Sequence, residues 1–60
     1  MLDNYDDIMS PSELAEVLYI GRNRAYEILN TTPGLGFRIG HIWKIPKENV
    51  IEYIRNSSRK

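Results

Sequence analysis

The amino-acid sequence predicts a mainly α-helical domain with a small β-hairpin. A helix-capping motif stands at 10–13, and a second amphipathic segment follows at 22–30. Apolar residues then alternate around a glycine in the segment 36–45, GFRIGHIWKI, which is typical of a hairpin. A third amphipathic segment after Pro46 completes four predicted elements.

Length and composition favour a protein that binds through its surface. The 60 residues predict one domain, 1–60, that buries only about 60% of the surface exposed by its unfolded chain. The absence of cysteine excludes disulfides and thiolate metal sites. No apolar run has membrane-spanning length, and the acidic segment 1–7 lacks the cationic start of a secretory signal. We therefore expect a cytoplasmic protein.

Charge is distributed unevenly, although the formal net charge is zero. Residues 1–18 contain five acidic residues and no lysine or arginine, whereas residues 19–60 contain eight cations against three glutamates, a net charge of +5. A basic surface of this kind suits a polyanion, and a chance scatter of surface charges is the alternative.

The first helix has a well-defined predicted start. Ser10 can cap free amides, Pro11 suits the first helical position, and Glu13 stands where a capping box places its carboxylate. The apolar face of this helix ends near Leu18, because the residues 19–21 (YIG) do not continue the helical spacing of apolar residues.

The second helix is predicted to begin at Gly21 or Arg22 and to end in the loop 31–36. Its apolar side is formed by Ala25, Ile28 and Leu29. The other side is polar and open, with Asn23, Tyr26, Glu27 and Asn30.

The hairpin register follows from the expectation that its apolar residues face the core. A three-residue loop, 40–42, places Ile39 opposite Trp43 and Phe37 opposite Ile45, all pointing inward, whereas a two-residue loop scatters them over both faces. In the three-residue register Arg38 and Lys44 face each other on the outer surface. Such a pair is destabilising unless an anion lies nearby or both side chains splay into solvent.

The third helix is predicted after Pro46, with an apolar stripe formed by Val50, Ile51, Tyr53 and Ile54. The polar residues 57–60 are predicted to be a frayed tail.

The first two predicted helices satisfy the steric requirements of a helix-turn-helix motif. Ala15 supplies the small residue at the helix crossing, and the other inward positions are apolar: Leu14, Leu18, Ile20, Ala25 and Ile28. Tyr19 occupies the turn position at which glycine is usual, because that residue often takes a positive φ, and we expect this to cost about 1 kcal/mol.

Taken in order, segments 8–15, 20–26, 37–40 with 43–46, and 50–54 resemble the excisionase-type, MerR-like winged helix-turn-helix proteins of phages and mobile elements. This resemblance implies a helix-turn-helix, a two-stranded wing and a C-terminal helix. It further implies sequence-selective binding to double-stranded DNA, with the second helix in the major groove and the wing on an adjacent groove.

The resemblance leaves two biological roles open. One is an excisionase-like accessory factor that bends DNA during site-specific recombination, with an integrase or recombinase, or neighbouring copies on DNA, as partners. The other is a small transcriptional regulator. The free protein is expected to be monomeric.

Nine residues are candidate DNA contacts: Ser12, Arg22, Asn23, Arg24, Tyr26, Arg38, His41, Lys44 and Lys47. Arginine can pair with guanine and asparagine with adenine, while hydroxyl groups and cations can also hold phosphates. Cations gain little from the dipole at a helix start, so an external anion better explains Arg22 and Arg24. The alternative is that these side chains are ordinary solvated surface residues, and this alternative is favoured for Glu27, which is not among the nine.

The sequence contains no catalytic constellation, and His41 lacks partners for a metal site, so no enzyme activity, cofactor or metal is expected. The alternative from another functional class is a protein–protein interaction module that does not bind DNA.

Overall fold

The computed structural model describes residues 1–58. They contain three helices and a three-stranded antiparallel sheet. The elements are β1 (Ile8–Met9), α1 (Pro11–Leu18), α2 (Arg22–Thr31), β2 (Phe37–Ile39), β3 (Ile42–Pro46) and α3 (Lys47–Ser58). The predicted helices and hairpin are confirmed, while β1 was not predicted. Within residues 1–58, no helix combines the length and apolar character needed to cross a membrane.

The start of α1 is the predicted capping box. The Ser10 hydroxyl accepts a hydrogen bond from the Glu13 amide at 3.2 Å, and the Glu13 carboxylate accepts one from the Ser10 amide at 2.9 Å. Because Pro11 has no N–H, the capping box satisfies two of the three free donors at this helix end.

The turn between α1 and α2 depends on a left-handed residue, as predicted. Tyr19 has φ 56° and ψ 46°, and its side chain is 95% exposed. The following amide, that of Ile20, donates to the Ala15 carbonyl at 3.0 Å and closes the end of α1. This geometry reverses the chain so that α2 begins at Arg22 and packs against α1.

The core lies between the helices and one face of the sheet. The helices contribute Leu14, Ala15, Ala25, Leu29 and Val50, and the remaining buried residues are Met9, Leu35 and Ile45. Besides packing against α2, α1 contacts β3, and α3 packs against β3 as well. The predicted inward positions of Leu14, Ala15, Ala25, Leu29 and Ile45 are confirmed.

The predicted hairpin register is wrong. Phe37 pairs with Lys44, Arg38 with Trp43 and Ile39 with Ile42, so the loop contains only Gly40 and His41. Gly40 has φ +63° and His41 does not have a positive φ, which is the pattern of a type II′ turn with glycine at its first central position. The turn geometry, rather than burial of every apolar residue, determines the register.

The strand β1 joins the N-terminal segment to the centre of the sheet. The strand order is β1-β3-β2, with Ile8 opposite Pro46 and Met9 opposite Ile45. The Lys47 amide also donates to the Asp7 carbonyl at 2.7 Å. A strand of two residues is too short to give a periodic signal in the sequence.

Helix α3 extends further than predicted. It continues through Ser58, whose hydroxyl donates to the Ile54 carbonyl at 2.9 Å, and so includes the first two residues of the segment predicted to be a frayed tail. The segment contains no glycine or proline to end the helix. The rest of the predicted tail, 59–60, lies outside the described residues.

Candidate nucleic-acid interface

Helix α2 exposes polar side chains to solvent. Arg22 and Asn23 are exposed in its first turn and Tyr26 is 40% exposed one turn later, whereas Ala25 and Leu29 are buried in the core. Arg22 makes no ion pair with any residue in 1–58. The α2 polar surface, which we define as Arg22, Asn23 and Tyr26, therefore presents donors and acceptors to solvent on a fixed helix.

Arg24 is less available than Arg22. Its Nε lies 3.1 Å from a carboxylate oxygen of Glu27, one turn further along α2. Both side chains are about two-thirds exposed, at 68% and 65%, so this ion pair is weak and screened by salt. An anionic ligand would compete with Glu27 for Arg24.

Arg38 and Lys44 lie on opposite faces of the hairpin, in contrast to the prediction that they face each other. Residues opposite one another in an antiparallel pair project to the same face, so Arg38 shares a face with Trp43, and Lys44 shares the other with Phe37. The like-charge repulsion expected from the sequence is therefore absent. No anion is therefore needed to relieve repulsion between Arg38 and Lys44.

The guanidinium of Arg38 is placed by an aromatic ring. Its Cζ atom lies 5.6 Å from the centre of the Trp43 ring, within the range of a cation–π contact. The same face carries Ile45, which approaches Gly36 together with Leu29 of α2. Arg38 consequently lies on the core-facing side of the hairpin.

Lys47 is largely occupied by contacts within the protein. Its Nζ donates to the Tyr5 carbonyl at 3.2 Å and lies 3.8 Å from a carboxylate oxygen of Asp7, and its side chain is only 20% exposed. A DNA phosphate would compete with Asp7 for Lys47.

The two remaining candidate DNA contacts, His41 and Ser12, are both exposed. His41 is the second residue of the hairpin turn, and Ser12 is the second residue of α1, beside the capping box. Neither side chain hydrogen-bonds to another of residues 1–58.

Several acidic residues of the N-terminal third make internal contacts, which accounts for part of the charge asymmetry. Glu13 closes the capping box, and Asp7 lies near Lys47. Glu16 accepts a hydrogen bond of 2.6 Å from the Tyr5 hydroxyl, and this bond raises the pKa of Tyr5 above its usual value of 10.0.

Sequence reasoning missed an apolar surface on the sheet. The face of the sheet away from the core exposes Ile8, Phe37, Ile39 and Ile42 by 46–61%. The Gly-His pair at 40–41 was the available signal, because glycine at the first position of a two-residue loop favours a type II′ turn. That register turns Phe37 and Ile39 away from the core.

Among the described residues, no group of three or more histidine, cysteine, aspartate or glutamate side chains could hold a metal ion. Comparison with protein-family models, with curated proteins and with solved structures finds no match for this chain.

Proposed function

We propose that this protein binds double-stranded DNA as a winged helix-turn-helix, with α2 in the major groove and the β2–β3 hairpin on an adjacent groove. The observation that carries the proposal is the α2 polar surface, in which Arg22, Asn23 and Tyr26 are exposed on a helix that buries Ala25 and Leu29 in the core.

The dimensions of α2 suit this role. Its ten residues span about 15 Å, and a helix of ordinary diameter fits the major groove, which is about 12 Å wide. Arg22 can pair with guanine, Asn23 can pair with adenine, and the Tyr26 hydroxyl can hold a base edge or a phosphate. The left-handed turn at Tyr19 and the small Ala15 support a helix-turn-helix packing of α1 and α2.

The hairpin carries one cation on each face, and this arrangement suits insertion into a DNA groove. The sequence had instead predicted both cations on one face. A ribbon that enters a groove has a phosphate strand on each side. Arg38 on one face and Lys44 on the other provide one cation toward each strand. The segment 36–46 carries no acidic residue that would oppose this contact.

Within DNA binding, an excisionase-like accessory role in recombination and a transcriptional role use the same contacts. The proposal is of a cytoplasmic protein, monomeric when free, that acts beside an integrase or recombinase or beside neighbouring copies on DNA. An integrase gene adjacent to the gene for this protein would favour the recombination role, and its absence would favour the transcriptional one.

A protein–protein interaction module is the second candidate, and the exposed apolar face of the sheet favours it. This alternative predicts no affinity for DNA at low salt.

Binding of the whole chain to a fluorescent mixed-sequence duplex, measured by anisotropy, tests the proposal. Replacing Arg22 by Ala should raise the Kd by about tenfold, the loss expected for one charged hydrogen bond. Arg55→Ala is the matched control, because Arg55 is an exposed arginine on α3 outside the proposed interface. Equal effects of the two substitutions would contradict the assignment to α2.

A further inference from the structure

An ion pair on α2 joins Arg24 to Glu27 at the inner nitrogen of the guanidinium. The Nε atom of Arg24 lies 3.1 Å from a carboxylate oxygen of Glu27, three residues further along the helix. A guanidinium also carries N–H donors on both terminal nitrogens, Nη1 and Nη2, which form its outer edge. Because each terminal nitrogen bears two hydrogens, this outer edge keeps a pair of parallel donors while Nε faces Glu27.

The position of Glu27 on α2 explains why its charge needs a partner. Glu27 lies four residues after Asn23, so both side chains project from the same side of the helix. The Glu27 side chain is 65% exposed. With this side of α2 in the major groove, an unpaired carboxylate would be repelled by the phosphates on either side. Arg24 compensates that charge, and the pair as a whole is neutral.

A neutral pair discriminates between the two kinds of DNA group that an arginine binds. A phosphate is an anion, so it must compete with Glu27 for the guanidinium of Arg24. A guanine edge is uncharged, and its O6 and N7 atoms accept two parallel hydrogen bonds from a guanidinium. Guanine can therefore bind the outer edge of Arg24 without displacing the carboxylate. The contact favours guanine over phosphate as the ligand of Arg24.

We propose that Arg24 reads a guanine in the major groove and that Glu27 is the positioning residue for this contact. The inference rests on the proposed DNA binding. A carboxylate beside Nε restricts the side chain of Arg24 before DNA arrives, so less conformational entropy is lost when guanine binds. Arg22 makes no ion pair with any residue in 1–58 and keeps its full charge toward the phosphates.

Selection of binding sites from a randomised duplex measures the base preference without a known target. The wild-type chain should enrich a G·C pair at a position where Arg24→Ala loses the enrichment. On a duplex selected by the wild type, Arg24→Ala should raise the Kd by about tenfold, the loss expected for one bidentate guanine contact. The salt slope of this variant should equal that of the wild type, because a neutral pair releases no counterions. Arg22→Ala should instead lower the slope by about one.

Glu27→Gln tests the positioning role. Glutamine keeps the shape of the side chain but not its charge, so Arg24 becomes free to bind phosphates. This variant should lose guanine enrichment and steepen the salt slope by about one. Glu52→Gln is the matched control, since Glu52 is an exposed glutamate on α3 outside the proposed interface, and it should change neither property. Arg24 and Glu27 are both largely exposed, so we expect circular dichroism to show folded variants.

Two results would overturn the inference and leave DNA binding intact. A salt slope lowered by about one in Arg24→Ala, with guanine enrichment unchanged, would mean that Arg24 holds a phosphate. Full guanine enrichment by Glu27→Gln would mean that Glu27 does not position Arg24 and that the two form an ordinary surface ion pair. Failure of the wild type to bind any duplex at low salt would overturn the DNA-binding proposal and this inference with it.

Discussion

Arg38 lies directly opposite Trp43 across the hairpin, with its guanidinium carbon 5.6 Å from the centre of the indole ring. This pairing places the cation on the face that carries the buried Ile45, and it leaves Lys44 on the other face. The two cations of the hairpin therefore act independently. A ligand that contacts both must reach both sides of the ribbon.

Replacing Arg38 by Ala should lower the free energy of unfolding by about 0.5–1 kcal/mol, because it removes an exposed cation–π contact. Urea unfolding followed by Trp43 fluorescence measures the change. Arg55→Ala, which removes an exposed arginine from a helix, should change stability by less than about 0.5 kcal/mol. An effect of Arg38→Ala no larger than that of the control would show that the contact does not stabilise the hairpin.

Replacing Tyr19 by Gly should stabilise the protein by about 0.5–1 kcal/mol. The residue has φ 56°, and relief of the left-handed conformation outweighs the greater entropy of glycine in the unfolded chain. Little packing is lost, because Tyr19 is 95% exposed. The same change at Tyr26, inside α2, should destabilise the protein instead, and thermal unfolding of both variants checks the opposite signs.

Replacing Gly36 by Ala should destabilise the protein by about 1–3 kcal/mol through overpacking. A Cβ atom at this position would lie 3.0 Å from both the Lys44 carbonyl oxygen and the Ile45 side chain. Gly21→Ala is the control, since nothing lies within 4 Å of a Cβ there, and we expect a loss of about 0.5 kcal/mol. Similar denaturation midpoints for the two variants would contradict the close approach of Gly36 to β3 and to Leu29 of α2.

Two serines near the start of α1 should respond differently to alanine. Ser10→Ala removes the cap of α1 and should cost about 1 kcal/mol. Ser12 is exposed within the helix, so Ser12→Ala should be neutral or slightly stabilising. Chemical denaturation of the pair measures the difference, and equal losses would mean that the capping box does not contribute.

Local chemistry made the helices predictable from the sequence. The capping box at Ser10 and Glu13, the left-handed turn at Tyr19 and the buried face of α2 at Ala25 and Leu29 each depend on residues close together in the chain. The hairpin register was not predicted because two preferences compete. Burial of Phe37 and Ile39 favours one register, the turn at Gly40 favours another, and so small a domain leaves the apolar side chains exposed.

Candidate site residues were predictable where exposure follows from helical periodicity, as for Asn23 and Tyr26. The environment of Lys47 was not, because its contacts with Tyr5 and Asp7 join residues about forty positions apart. A strand of two residues, β1, brings these segments together, and its length leaves no pattern to recognise.

The salt dependence of duplex binding tests the central claim most directly. If the intact chain neutralises about four phosphates, the logarithm of its association constant for mixed-sequence DNA should fall with the logarithm of salt concentration at a slope of roughly −3 to −4. Such a slope, reduced by about one in Arg22→Ala and unchanged in Arg55→Ala, is the result that we predict. A flat response, or no binding at low salt, would contradict DNA binding and favour a protein-interaction role.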